Sequence, residues 1–153
     1  MLKPILLVED DKRDLELTLL ALERSQLAND VVTVGDGAKA LEYLRREGEF
    51  AARPEGNPAV VLLDLKLPKV NGLEVLQSVR ADPLLRPVPV VMLTSSEAES
   101  DVLKSYSLGV NAYVVKPVDF KQFVSAIAEL GVFWAVVNEP PPGSVKGGRR
   151  YAS

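Results

Sequence analysis

Short runs of Val, Leu and Ile recur along the chain at Ile5–Val8, 59–63, 88–93 and Ala112–Val115, with a weaker fifth at Val31–Val34. Each run is continuous rather than alternating, the pattern of a strand covered on both faces. Between them lie segments of helical period, such as Leu15, Leu19 and Leu22, or Leu73, Leu76 and Val79. The reading is five strands and five helices in strict alternation. Parallel strands joined through helices need right-handed crossovers, so the alternation predicts an open, all-parallel α/β sheet with helices on both faces.

Turn chemistry falls where this reading needs it. Asp36-Gly37, Asn71-Gly72, Asp82-Pro83 and Gly109 punctuate strand and helix ends. Residues 45–58, with Gly48, Pro54, Gly56 and Pro58, form a longer connection than the others. The last stretch, 138–153, carries three consecutive prolines, a Gly pair and an Arg pair, a composition too poor in apolar groups to order itself. The expected organisation is one domain over 1–137 with a C-terminal extension, then a flexible tail over 138–153.

Composition removes whole classes of chemistry. The chain has no Cys and no His, which excludes thiol catalysis, zinc fingers and any mechanism with a histidine base. Its 18 basic and 21 acidic residues leave a net charge of −3, so no positive field invites nucleic acid. The first apolar run is too short for a signal peptide, and no stretch approaches the roughly 20 apolar residues of a membrane span. A cytoplasmic location, with neither membrane nor nucleic-acid contact, is the expectation.

Ligands of an open parallel sheet bind outside the carboxyl ends of its strands, so the strand-ending residues are the ones that carry chemistry. The first strand runs into Glu9-Asp10-Asp11 and the third ends in Asp64; in a flavodoxin-like strand order, 2-1-3-4-5, the two are neighbours. Carboxylates gathered in one crevice repel, and a bound divalent cation with oxygen ligands, Mg²⁺ above all, resolves the repulsion. The fourth strand ends in Thr94-Ser95-Ser96 and the fifth in Lys116-Pro117. Acids with a metal, a hydroxyl and an ammonium make a set that can hold a phosphoryl group, with Asp64 as nucleophile, Thr94 as donor and Lys116 as counter-charge.

These pieces resemble the bacterial response regulator receiver domain, CheY-like, from residue 3 to about 137. The matching segments are Glu9-Asp10, the run from Leu62 through Asp64 to Pro68 followed by Asn71-Gly72, the strand end at Thr94-Ser95, and Tyr113 through Lys116-Pro117. Asp64 and Thr94 stand 30 positions apart, and Thr94 and Lys116 stand 22 apart, both close to the family's separations. The resemblance implies that Asp64 is phosphorylated by a partner histidine kinase. It further implies that Asp10, Asp64 and the backbone carbonyl of Lys66 bind Mg²⁺, with Glu9 acting through a bound water. Lys116 would pair with the phosphoryl oxygens, Thr94 would move toward them, and Tyr113 would rotate behind it, changing the surface of the fourth helix, fifth strand and fifth helix. A cis Lys116-Pro117 peptide is also implied, and Lys66 and Ser96 would border the phosphoryl group and tune its lifetime.

The C-terminal part narrows the resemblance. Phe120, Phe123, Val124, Ile127, Leu130, Trp134 and Val137 share one helical stripe, whereas Val132, Phe133 and Val136 lie off it. A helix continued through them would present an apolar patch, and such patches mark interfaces. This end, together with the long 45–58 connection, resembles the small single-domain response regulators paired with phytochrome-type histidine kinases. A homodimer through Val132, Phe133, Trp134 and Val136 is the expectation.

Two alternatives stand beside this reading. A haloacid-dehalogenase-type phosphatase would need a second Asp two positions after Asp64, where this chain has Lys66. A pseudo-receiver, a binding module with the fold but no phosphorylation, remains open although Asp10, Asp64 and Lys116 are all present. Lys66 at that position argues against catalysis on exogenous substrates, so the chain is expected to be no enzyme, and with the receiver-like part taking up most of the sequence a DNA-binding output module is not expected either. Its output is expected through protein contacts or relay to a histidine phosphotransfer protein.

Overall fold

The computed structural model describes residues 3–24, 28–95, 98 and 109–129. The strands are β1 (Ile5–Val8), β2 (Val31–Val34), β3 (Val60–Asp64), β4 (Val90–Thr94) and β5 (Ala112–Val115). The helices are α1 (Lys12–Arg24), α2 (Gly37–Arg45), α3 (Gly72–Ala81) and a C-terminal helix, Phe120–Glu129; a 3₁₀ turn, Gly48–Phe50, follows α2. All strand pairs are parallel and the order is β2-β1-β3-β4-β5, as the alternation predicts. The expected fourth helix, Ser96, the proposed dimer residues Val132, Phe133, Trp134 and Val136, and the 138–153 tail lie outside the described residues.

The continuous apolar runs are explained by their positions. β1 and β3 sit at the centre of the sheet and every residue in them is buried, while β2 at the edge has only Val34 buried. Alternate residues feed two separate cores. Ile5, Leu7, Val60, Leu62, Val91 and Leu93 pack under α1 and the C-terminal helix, where Phe123 is almost fully enclosed. Leu6, Val8, Val61, Leu63 and Met92 pack on the other face, under α2 and α3. Burying each such side chain contributes about 1.5–3 kcal/mol, and that gain opposes the entropy of ordering the chain.

The limits of β3 and β4 differ from the apolar runs by a residue or two. β4 starts at Val90 rather than at position 88, because Pro89 has no N–H for the ladder and only its carbonyl takes part, accepting from the Val61 amide. Val88 instead closes a turn onto the Leu85 carbonyl. β3 and β4 each extend one residue further than the apolar runs, so that Asp64 and Thr94 belong to the ladder. A strand that ends on its functional residue holds that residue's Cα in register.

Caps fix the helices whose starts face the carboxyl ends of the strands. Asp36 accepts from the Lys39 amide at 2.7 Å at the start of α2, and Asn71 with Glu74 forms a reciprocal capping box at the start of α3. Gly72 follows because α3 begins against the β3 backbone: a Cβ there would stand 2.3 Å from the Asp64 carbonyl oxygen. The long 45–58 connection is organised by Arg53. Its guanidinium donates to the carbonyls of Tyr43, Leu44, Pro54 and Gly56 and lies 4.3 Å over the Tyr43 ring. Among the described residues, no helix is long and apolar enough to cross a membrane.

Candidate functional site

The carboxyl ends of β1, β3, β4 and β5 open on one edge of the sheet, and the four strand-end groups meet there. Glu9 follows β1 directly and is buried; Asp64 and Thr94 end β3 and β4 and are buried; Asp10 is exposed. Lys116 follows β5, with its backbone amide donating to the Thr94 carbonyl at 2.7 Å, and the Lys116-Pro117 peptide is cis. The Lys116 ammonium is 2.9 Å from Glu9 Oε1 and 3.1 Å from Asp64 Oδ1. The same ammonium also lies 3.1 Å from Asp14 Oδ2, in the first turn of α1.

One buried ammonium therefore faces three carboxylates, and the electrostatics follow. Burial alone would lower the Lys116 pKa, but hydrogen bonds to Glu9 and Asp14 and the charge of Asp64 outweigh it and hold the group above its ordinary value. The Glu9 pKa is also pushed up, to about 7, chiefly by burial and then by its closeness to Asp64, against the pull of Lys116. Glu9 Oε1 is sealed from solvent, and its counter-charge is the ammonium beside it.

Glu9, Asp10 and Asp64 each offer a carboxylate oxygen within 4.8 Å of the others. The set fits a hard divalent cation: all donors are oxygens, the acids crowd one another, and Asp10 is open to solvent as a point of entry. A cleft of about 540 Å³ adjoins Asp10 and is walled by Leu65, Lys66, Leu67 and Asn71, so the backbone just past Asp64 is reachable from outside. The Lys66 amide lies 3.4 Å from Asp64 Oδ1 and its side chain is exposed.

Glu9 supplies a pH prediction for the metal-free protein. Its pKa is about 7 folded against 4.5 for the ordinary group, so the fold favours the protonated form. The contribution is fully present below pH 4.5 and is lost as pH rises through 7. In EDTA, urea unfolding should show wild-type stability falling over that window by on the order of 2 kcal/mol more than in Glu9→Gln. Equal pH dependence of the two proteins would show that Glu9 is not held protonated by its surroundings.

The structure brings together Glu9, Asp10, Asp64, Thr94 and Lys116, as expected from the strand ends. Tyr113 is half-buried in β5, paired in register with Met92 and packed against the core under α2 and α3. Asp14 was not anticipated. Its sequence signal, an acid in the first turn of a helix, is ordinary helix-start chemistry and does not set it apart.

Comparison with known proteins places these features. Residues 5–128 match the family described as the response regulator receiver domain. The response regulator Rcp1 of Synechocystis sp. is 39% identical over 132 residues, 86% of this chain and 88% of that protein. Its Mn²⁺-bound crystal structure superposes with a TM-score of 0.69, covering 87% of this chain and 94% of that one. The bacteriophytochrome response regulator RtBRR is 78% identical with a TM-score of 0.86, covering 99% of this chain and 91% of that one. The phosphorylated cyanobacterial phytochrome response regulator RcpA is 43% identical with a TM-score of 0.70, covering 88% and 94%.

Proposed function

The chain belongs to the response regulator receiver family of two-component signalling, and from that premise we propose that Asp64 accepts a phosphoryl group from a sensor histidine kinase in a Mg²⁺-dependent reaction. The observation that carries the proposal is the Lys116 ammonium 3.1 Å from Asp64 Oδ1, beside three carboxylate ligands within 4.8 Å of one another. An Mn²⁺-bound relative and a phosphorylated relative support both halves of it.

Asp64 closes β3 beside Lys116, so one of its carboxylate oxygens can attack phosphorus in line. The new Oδ–P bond forms as the P–N bond of the phosphohistidine breaks, and its electron pair returns to the leaving imidazole. Glu9, Asp10, Asp64 and the backbone carbonyl of Lys66 would hold Mg²⁺, which offsets charge on the phosphoryl oxygens. Lys116 meets an oxygen from the other side, and Thr94, fixed through its backbone link to Lys116, supplies a hydrogen bond. Hydrolysis returns Asp64 and inorganic phosphate, so the chain catalyses only its own phosphorylation and dephosphorylation. Movement of Thr94 toward the phosphoryl group, with Tyr113 following, shifts the population between two surface packings.

The likeness to bacteriophytochrome and phytochrome response regulators points to a phytochrome-type kinase as donor, acting in the cytoplasm. Output goes through protein contacts, including relay to a histidine phosphotransfer protein. Intact-mass measurement after incubation with acetyl phosphate tests the chemistry: one phosphoryl group is expected with Mg²⁺ and none with EDTA. Absence of labelling by acetyl phosphate and by a panel of kinases would favour a pseudo-receiver. Homodimerisation through Val132, Phe133, Trp134 and Val136 is proposed from their sequence pattern. Truncation before Val132 should halve the mass in sedimentation equilibrium, and an unchanged mass would remove that interface.

A further inference from the structure

Lys116 meets three acids, but the contacts are not equivalent. Glu9 and Asp64 are almost fully buried and both belong to the candidate metal cluster. Asp14 is outside that cluster, sits on α1 rather than at a strand end, and keeps a third of its side chain in solvent. Its contact with Lys116 is nevertheless an aligned hydrogen bond as well as an ion pair, spanning 102 positions of sequence.

From this we infer that Asp14 is a positioning residue that occupies Lys116 in the unphosphorylated state and competes with the incoming phosphoryl group for it. The inference rests on the phosphoryl-acceptor reading of Asp64. An ammonium has three donors, and in the resting protein all three acids draw on them. A phosphoryl oxygen arriving at Asp64 needs one of those donors. Loss of the ammonium would leave Glu9 and Asp64 as buried acids without a counter-charge, whereas Asp14 can turn to water, so Asp14 is the partner that yields. Its negative charge also repels the arriving dianion. Both effects oppose phosphoryl binding and both are removed by loss of the charge.

The test measures initial rates of phosphorylation by acetyl phosphate in saturating Mg²⁺, following intact mass, over a range of donor concentrations. Asp14→Asn keeps the hydrogen-bond acceptor and removes only the charge. Glu16→Gln makes the same change of net charge on the exposed part of α1 and serves as control. The half-saturating acetyl phosphate concentration is expected to fall about three-fold in Asp14→Asn, with the maximal rate within two-fold of wild type and Glu16→Gln unchanged. The gain should shrink as salt rises from about 0.05 to 0.5 M. An unchanged or raised half-saturating concentration in Asp14→Asn would overturn the inference, as would an equal fall in Glu16→Gln. Failure of the wild type itself to be labelled would instead count against the acceptor role of Asp64.

Discussion

Asp64→Asn should take up no phosphoryl group from acetyl phosphate or from a kinase, while keeping the fold. The amide is nearly isosteric with the carboxylate but carries no charge to attack phosphorus, and it gives Lys116 and a divalent ion a weaker partner. Loss of labelling should therefore be complete within the detection of intact-mass measurement. Folding should survive because Asp64 contributes its backbone to the β3 ladder, and the variant leaves that backbone unchanged. Closeness to Asp64 is one of the causes that raise the Glu9 pKa, so removing the charge relieves crowding in the metal-free site. Stability in EDTA is expected within about 1 kcal/mol of wild type. Labelling of Asp64→Asn at the wild-type level would place the acceptor elsewhere.

Asp10→Ala should lose Mg²⁺ affinity by on the order of ten-fold or more, because affinity for a hard cation follows the number of charged oxygen ligands. Asp10 is the exposed member of the cluster, so its removal opens no cavity and costs the apo fold little. The effect is legible in two ways. Calorimetric titration should show weakened binding directly. Thermal unfolding at a hundred times the wild-type Kd should lose about half of the metal-dependent increment, which is about 2.7 kcal/mol for the wild type. Phosphorylation of the variant should then need correspondingly higher Mg²⁺. An unchanged Mg²⁺ titration would show that the ion, if bound, is held by other groups.

The site was legible because its chemistry sits at the ends of apolar runs. Glu9, Asp64, Thr94 and Lys116 each interrupt or follow a stretch of Val and Leu, and a polar residue at the close of a buried strand stands out against its neighbours. Metal-ligand crowding could likewise be anticipated from the strand order, which puts β1 beside β3. Asp14 could not be found this way. It lies on a helix whose surface is rich in charge, where one acid among Asp14, Glu16 and Glu23 has no mark of its own. The role of Gly72 was visible only as turn punctuation; the close approach to the Asp64 carbonyl that demands glycine depends on where α3 docks. Arg53 has no mark of its own within the 45–58 connection, yet its guanidinium satisfies four carbonyls.

Local pattern alone determined the alternation, the parallel sheet, the caps at Asp36 and Asn71 and the residues that end the strands. Each of those follows from period, propensity or the chemistry of a few neighbours, quantities written along the chain. Only the tertiary structure decided which acids Lys116 faces, how far each is buried, and therefore which of them can be released. Asp14 and Lys116 are 102 positions apart. Their meeting depends on where α1 docks on the sheet, its Ala21 and Leu22 sharing one core with Ile5, Leu7, Leu62 and Phe123.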